Sequence, residues 1–218
     1  MPNLERRYMG KIEITKKVLG ICATNCYTMG DTDTREAVII DLGDRADILI
    51  KDWKDRNWHP QAVLLTHGHF DHIGALAGVK KEYPDIKVYA AAKEKEVMES
   101  PTLNLSSSFG AAFTAQADIY LEDGAEIEVL GRTCKCLLVP GHTKGGMCYY
   151  FPEEKVVFTG DTLFCYSVGR TDFPTGDAKA LEKAIREKLF TLPDETLVLP
   201  GHDAQTMIGK EKKGNPYF

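Results

Sequence analysis

Along Lys11 to Val18, Ile12 and Ile14 alternate with charged residues, and this period of two predicts a half-exposed strand. Ile21 to Thr28 predicts a second strand, with Gly30-Asp31-Thr32-Asp33 as the turn behind it. Ala37-Val38-Ile39-Ile40 is a continuous apolar run that delivers Asp41 to a strand end. From Ala46 to Trp58 the period changes, because Ile48, Leu49 and Trp53 recur at helical spacing. Ala62-Val63-Leu64-Leu65 then predicts a buried strand, and Ile73, Leu76, Ala77 and Val79 predict a helix after it. A short strand follows at Ile86 to Ala90. Lys93 to Glu99 predicts a short helix whose charges form a solvated face. Ser100 to Gln116 is irregular: Leu103, Leu105, Phe109 and Phe113 stand among small polar residues, which suits either a loop covering a pocket or a short packed helix. Glu126 to Val139 reads as two strands around Gly131-Arg132. Val156-Val157-Phe158 and Glu195 to Leu199 read as further strands. Asp177 to Leu189 predicts an amphipathic helix with Asp177 as N-cap and Leu181, Ala184, Ile185 and Leu189 as its apolar stripe. Met207 to Phe218 reads as a short basic tail.

Several of these apolar runs end at once in a group that can bind a cation. The run before Thr66 opens into His67-Gly68-His69-Phe70-Asp71-His72, which gathers half of the chain's six histidines and a carboxylate into six residues. Imidazole and carboxylate are ligands that zinc, iron and manganese accept, and a turn can aim alternate side chains into one cavity. Two later strands end alike, in Pro140-Gly141-His142 and Pro200-Gly201-His202, and a third ends in Thr159-Gly160-Asp161. The repeated ending predicts a sandwich of two similar halves, each presenting a histidine at the same rim. Asp41 is read either as a support behind the metal ligands or, equally well, as a turn residue before Gly43, and stays outside the candidate ligand set. His59, before Pro60, reads as structural.

Composition narrows the setting. With 218 residues, 43% of them hydrophobic, the chain suits one domain over residues 10–218 behind a loose leader at 1–9, in which Met9 is an alternative start. A formal charge of −5 offers no broad footprint for nucleic acid. No apolar run approaches the ~20 residues that span a bilayer, and the polar start lacks the apolar stretch of a secretory signal. The six cysteines form no Cys-x-x-Cys pair and read as reduced, buried thiols, so the expected compartment is the cytoplasm, with neither membrane nor nucleic acid as partner.

His67-x-His69-x-Asp71-His72 resembles the signature of the metallo-β-lactamase fold superfamily. The resemblance implies an α/β protein, a four-layer αββα sandwich with the metal site at one edge of the β-sandwich. It implies two divalent metal ions, zinc first and iron or manganese as alternatives: His67, His69 and His142 would hold one, Asp71, His72 and His202 the other, and Asp161 would bridge them. Asp71 would also orient the attacking water. Zinc β-lactamases of the commonest subclass carry a cysteine at the Asp161 position, so antibiotic hydrolysis is disfavoured. Pro140-Gly141-His142-Thr143, Thr159-Gly160-Asp161-Thr162 and Gly169-Arg170-Thr171-Asp172-Phe173-Pro174 resemble the glyoxalase II branch, and its short single-domain bacterial members most. That implies a small-molecule thioester substrate of the S-lactoylglutathione type, with Arg170 either gripping a substrate carboxylate or held in an ion pair with Asp172 or Asp177. Departures lie in the short segment after His202 and in Thr171 and Asp172, where that branch carries aromatic residues, and they leave the thiol carrier open. Gly169 to Phe173 also resembles the mononuclear-iron persulfide dioxygenases. A non-catalytic metal-binding module is the third reading.

Overall fold

In a computed structural model that describes residues 11–218, two six-stranded sheets face each other. The first is built in chain order from β1 (Ile12–Leu19), β2 (Thr24–Asp31), β3 (Glu36–Ile40), β4 (His59–Leu64), β5 (Lys87–Ala91) and β6 (Ile119–Leu121). Its first three strands pair antiparallel, and β3 to β6 run parallel. The second comprises β7 (Glu126–Val129), β8 (Arg132–Leu138), β9 (Met147–Phe151), β10 (Val156–Gly160), β13 (Leu197–Pro200) and β14 (Thr206–Met207). Between β10 and β13 the chain makes a small hairpin, β11 (Leu163–Phe164) with β12 (Ser167–Val168).

The period of two explains the layers. In β3, Val38 and Ile40 point between the sheets while Ala37 and Ile39 point outward, and both sets are buried. The outward set packs on α1 (Ala46–Asp55), through Leu49 and Trp53, and on α3 (Leu76–Glu82), through Leu76 and Val79. In the second sheet, Tyr149, Phe151 and Phe158 face inward, while Cys148 and Val157 meet Leu181, Ile185 and Leu189 of the outer layer. Strands covered on both faces read as unbroken apolar runs, which is why Ala37–Ile40 and Ala62–Leu65 stand out in the sequence. The result is the expected αββα sandwich, completed by α2 (Phe70–Ile73), two four-residue turns α4 (Lys95–Met98) and α5 (Ser106–Phe109), α6 (Ala178–Ala184) and α7 (Ile208–Gly214).

Asp177 caps α6 by accepting the Ala180 N–H at 3.0 Å, and the helix widens into a π-helical turn at Ile185–Leu189. The basic tail carries α7, whose buried Glu211 accepts hydrogen bonds from the Thr206 hydroxyl, the Tyr166 N–H and the Asn215 amide. Two expectations are corrected. The two Pro-Gly-His endings do not come from two halves, because both follow strands of the second sheet. Lys93 to Glu99 is not a wholly solvated face, since Glu94 is fully buried. The cysteines are all free; Cys26, Cys134, Cys136 and Cys148 are buried, and Cys22 and Cys165 half-buried. Among the described residues no helix is long and apolar enough to cross a membrane. The leader at 1–9 lies outside the described residues.

Candidate metal centre

All seven residues expected as ligands converge where the C-terminal ends of β4, β10 and β13 meet the loop after β8. Adjacent parallel pairing of β10 and β13 sets Gly160 beside Pro200, so the next residues, Asp161 and Gly201-His202, emerge together. Gly201 has no room for a side chain: a Cβ there would lie 2.4 Å from Asp161 Oδ1 and 2.7 Å from His72 Cε1. The turn after Thr66 carries His67 and His69 into the same space, and α2 begins at once behind them with Asp71 and His72.

The donors fall into groups. His69 Nδ1 lies 3.1 Å from His67 Nε2 and 3.0 Å from His142 Nε2. Ligand nitrogens of a tetrahedral zinc at 2.0–2.1 Å stand ~3.3 Å apart, so these three corners match that shell closely. His72 Nε2 lies 3.6 Å from Asp71 Oδ2 and 3.4 Å from His202 Nε2. Asp161 stands between the groups, with Oδ2 3.6 Å from His142 and 3.4 Å from His202, and Oδ1 3.4 Å from His72. Asp161 Oδ1 is buried without a hydrogen-bond partner, as an oxygen kept for a cation would be.

The far sides of the rings are fixed. His142 Nδ1 donates to the Arg170 carbonyl at 2.7 Å, and His72 Nδ1 to Asp41 Oδ2 at 2.8 Å, which leaves each Nε2 aimed at the cluster. Asp41 also accepts the Thr66 N–H and hydroxyl, at 2.8 and 2.7 Å. It is therefore part of the centre, although a carboxylate closing a strand gave too little to place it there. Thr24 donates to Asp71 Oδ2 at 2.9 Å, and the Asn25 amide holds the Pro200 and Asp203 carbonyls at 2.9 and 3.1 Å. The one sign of these two in the sequence is polar side chains in a strand that is buried throughout.

Glu94 ties the loops together. Its Oε2 accepts the N–H of Gly68, between His67 and His69, at 2.6 Å; Oε1 accepts the Thr143 hydroxyl and the Gly145 N–H, just after His142, at 2.6 and 2.8 Å. Burial pushes this carboxyl up, against those same hydrogen bonds.

Electrostatics separates the two groups. Burial holds His67 well below the usual imidazole range and His69 at about 3, so both are neutral donors. For His72 and His202 burial acts in the same direction but loses to the carboxylates. Asp41, Asp71 and Asp161 lift His72 well above its usual value, and Asp161 and Asp71 lift His202 to about 10. Burial likewise opposes ionisation of Asp71 and Asp161, yet His72 and His202 bring Asp71 to about 2 and Asp161 well below the usual range. The carboxylates thus favour positive charge at these imidazoles, and a divalent cation supplies positive charge in the same place.

Arg170 lines the same cavity, and its Nε and Nη2 donate to exposed Asp172 at 2.8 and 2.7 Å. His59 lies apart, exposed at the start of β4.

The metallo-β-lactamase superfamily model matches residues 19–202, a span that contains every donor described. The chain belongs to the metallo-β-lactamase superfamily. Hydroxyacylglutathione hydrolase GloC of Haemophilus influenzae is 35% identical over 89% of this chain and 92% of its own. Among solved structures, the B3 metallo-β-lactamase BLEG-1 superposes with a TM-score of 0.89 at 39% identity, over 94% of this chain and 99% of its own. TTHA1623, in a di-iron-bound form, gives 0.83 at 35%, over 94% of this chain and 100% of its own. ETHE1 from Myxococcus xanthus gives 0.78 at 32%, over 94% and 83%. Superfamily membership and the His/Asp cluster together make this a metallohydrolase-type centre suited to two metal ions.

Proposed function

We propose that the chain is a metal-dependent hydrolase of acyl thioesters of the S-lactoylglutathione type. The observation that carries this reading is the pair of donor groups around one shared carboxylate, Asp161, on the wall of a cavity of about 490 Å³. His67, His69 and His142 would hold one divalent ion and Asp71, His72 and His202 the second. Bound there, such ions supply Lewis acidity and a water whose pKa falls from 15.7 towards ~7.

The chain's own groups do the rest. Neutral His67 and His69 offer lone pairs without first losing protons. Asp71, which accepts the Thr24 hydroxyl and lines the cavity, would orient the attacking water. Resemblance to the glyoxalase II branch and the likeness to GloC favour a thioester carbonyl as the group attacked. Zinc is the first candidate, with iron and manganese served by the same mixed donors.

Two other activities enter as arms of the test. The likeness to ETHE1 keeps the mononuclear-iron persulfide dioxygenase reading, and the likeness to BLEG-1 brings back β-lactam hydrolysis, which Asp161 had spoken against. Protein loaded with zinc, iron or manganese is assayed for thiol release from S-lactoylglutathione, oxygen uptake with glutathione persulfide and opening of a chromogenic cephalosporin. The expected result is metal-dependent thiol release, reduced at least ~100-fold in His69→Ala. Absence of release with every metal, with oxygen uptake or β-lactam opening in its place, overturns the assignment.

A further inference from the structure

Beyond the donors, the cavity is lined by Phe70, Leu105, Phe109, Phe164, Val168 and Phe173. Phe70 and Phe109 stack nearly parallel, with centroids 4.8 Å apart at 13°, and Phe109 leaves 49% of its surface exposed. Phe173 sets its ring edge-on to His69 at 5.8 Å, and Phe164 lies 6.3 Å from His202. The apolar wall therefore runs up to the donors of both groups.

The segment that carries Leu105 and Phe109 is built in. Phe70 donates its N–H to the Asn104 carbonyl at 2.8 Å, Asn104 Oδ1 accepts the Ser106 N–H at 2.8 Å, and the Asn104 amide donates to the Phe113 carbonyl at 2.8 Å. Leu105 is kept in the left-handed region, φ 67°, a conformation that a branched side chain adopts only under constraint, and here it turns Leu105 into the cavity.

Charge on this wall is scarce. Among the described residues, Arg170 is the one cationic lining side chain apart from histidines; Asp172 binds it bidentately, and its Cζ lies 3.9 Å over the Phe173 ring. The Asp172 carboxylate offsets the Arg170 charge beside this wall. Asp203 is the other charged lining residue outside the donor groups. A tripeptide thiol bearing two carboxylates finds no free cation there, whereas a ring or branched chain finds aromatic faces on which to stack.

Resting on the hydrolase reading, we propose that the wall of Phe70, Leu105, Phe109 and Phe173 selects thioesters with a neutral aromatic or branched aliphatic arm over those of glutathione. The test begins with binding, measured by calorimetry on the full chain with S-benzyl-N-acetylcysteamine and S-methylglutathione, neither of which can be hydrolysed. The neutral thioether binds about tenfold tighter or better, and half-exposed Phe109→Ala weakens it about fivefold while leaving S-methylglutathione unchanged. Asp172→Ala, which frees Arg170, strengthens S-methylglutathione severalfold. Equal binding of the two thioethers, or a Phe109→Ala protein that binds the benzyl compound as tightly as the parent, overturns the proposal.

Turnover then separates the two possible arms. Phenylacetyl-N-acetylcysteamine places the ring on the acyl side, and the lactoyl thioester of benzyl mercaptan places it on the carrier side. The compound with the higher kcat/KM relative to S-lactoylglutathione identifies the side that meets the wall; no gain for either overturns selection in catalysis. If no thioester is cleaved while the binding difference and its Phe109 dependence persist, the hydrolase reading falls and the apolar specificity of the wall stands.

Discussion

Asp161→Ala is expected to cost the centre at least one equivalent of bound metal and to lower thioester turnover by about 10²–10³-fold. The carboxylate spans the two donor groups, with oxygens 3.4 Å from both His72 and His202 and 3.6 Å from His142. Its charge also offsets that of His72 and His202. Without it, the second group keeps Asp71 and Asp41 as the carboxylates near its imidazoles. Asp161→Asn separates shape from charge, since it keeps the size and one oxygen while losing the negative charge. Metal analysis of dialysed protein beside a thiol-release assay reads both effects. Two tightly held equivalents and parental turnover in Asp161→Ala would remove this residue from the centre.

Glu94→Ala is expected to lower stability by about 2–6 kcal/mol, because it strands the buried N–H groups of Gly68 and Gly145, each worth about 1–3 kcal/mol when unsatisfied. Metal affinity should fall roughly 10–100-fold, the usual cost of losing a group that orients ligands from behind. Glu94 accepts on both oxygens from donors that flank His67, His69 and His142. Glu94→Gln is therefore a poor substitute: its amide nitrogen must face the N–H of either Gly68 or Gly145, and only one oxygen remains to accept from a loop. Thermal unfolding of metal-free protein measures the first effect, and competition with a chromogenic chelator the second. A Glu94→Gln protein with parental metal affinity would show that the carboxylate only fills space.

Which parts of this centre could be read in the chain follows from how each residue is placed. His67, His69, Asp71 and His72 were legible because one turn supplies them within six residues, and an apolar run directly before them marks a strand end. His142, Asp161 and His202 were legible as endings of the same kind, and the family resemblance joined them. The symmetry inferred from the Pro-Gly-His echo was not correct. Both turns close strands of one sheet, and the other sheet contributes the His67 group, a pairing that depends on β10 and β13 being neighbours across a long crossover. Local sequence carries no trace of that adjacency.

Glu94 was hidden by its surroundings. Lys93, Lys95 and Glu96 give the segment a solvated pattern, while the reason for Glu94's burial lies in Gly68 and Gly145, far away in the chain. Those glycines are the indirect signal: a Cβ on Gly145 would lie 2.7 Å from the Glu94 N and Oε1 atoms, and one on Gly68 3.0 Å from its Oε2. Arg170 shows the reverse case. Residue type and position offered two roles, a grip on substrate carboxylate or an ion pair, and in this structure Asp172, two residues on, occupies its fork.

The proposed function requires the two donor groups to act as one dinuclear hydrolytic centre. Titrating metal-free protein with zinc while following thiol release from S-lactoylglutathione, or from whichever thioester proves faster, tests it most directly. Turnover is expected to keep rising until two equivalents are bound, with His69→Ala inactive throughout. Full activity at one equivalent, with no further gain from the second, would contradict it.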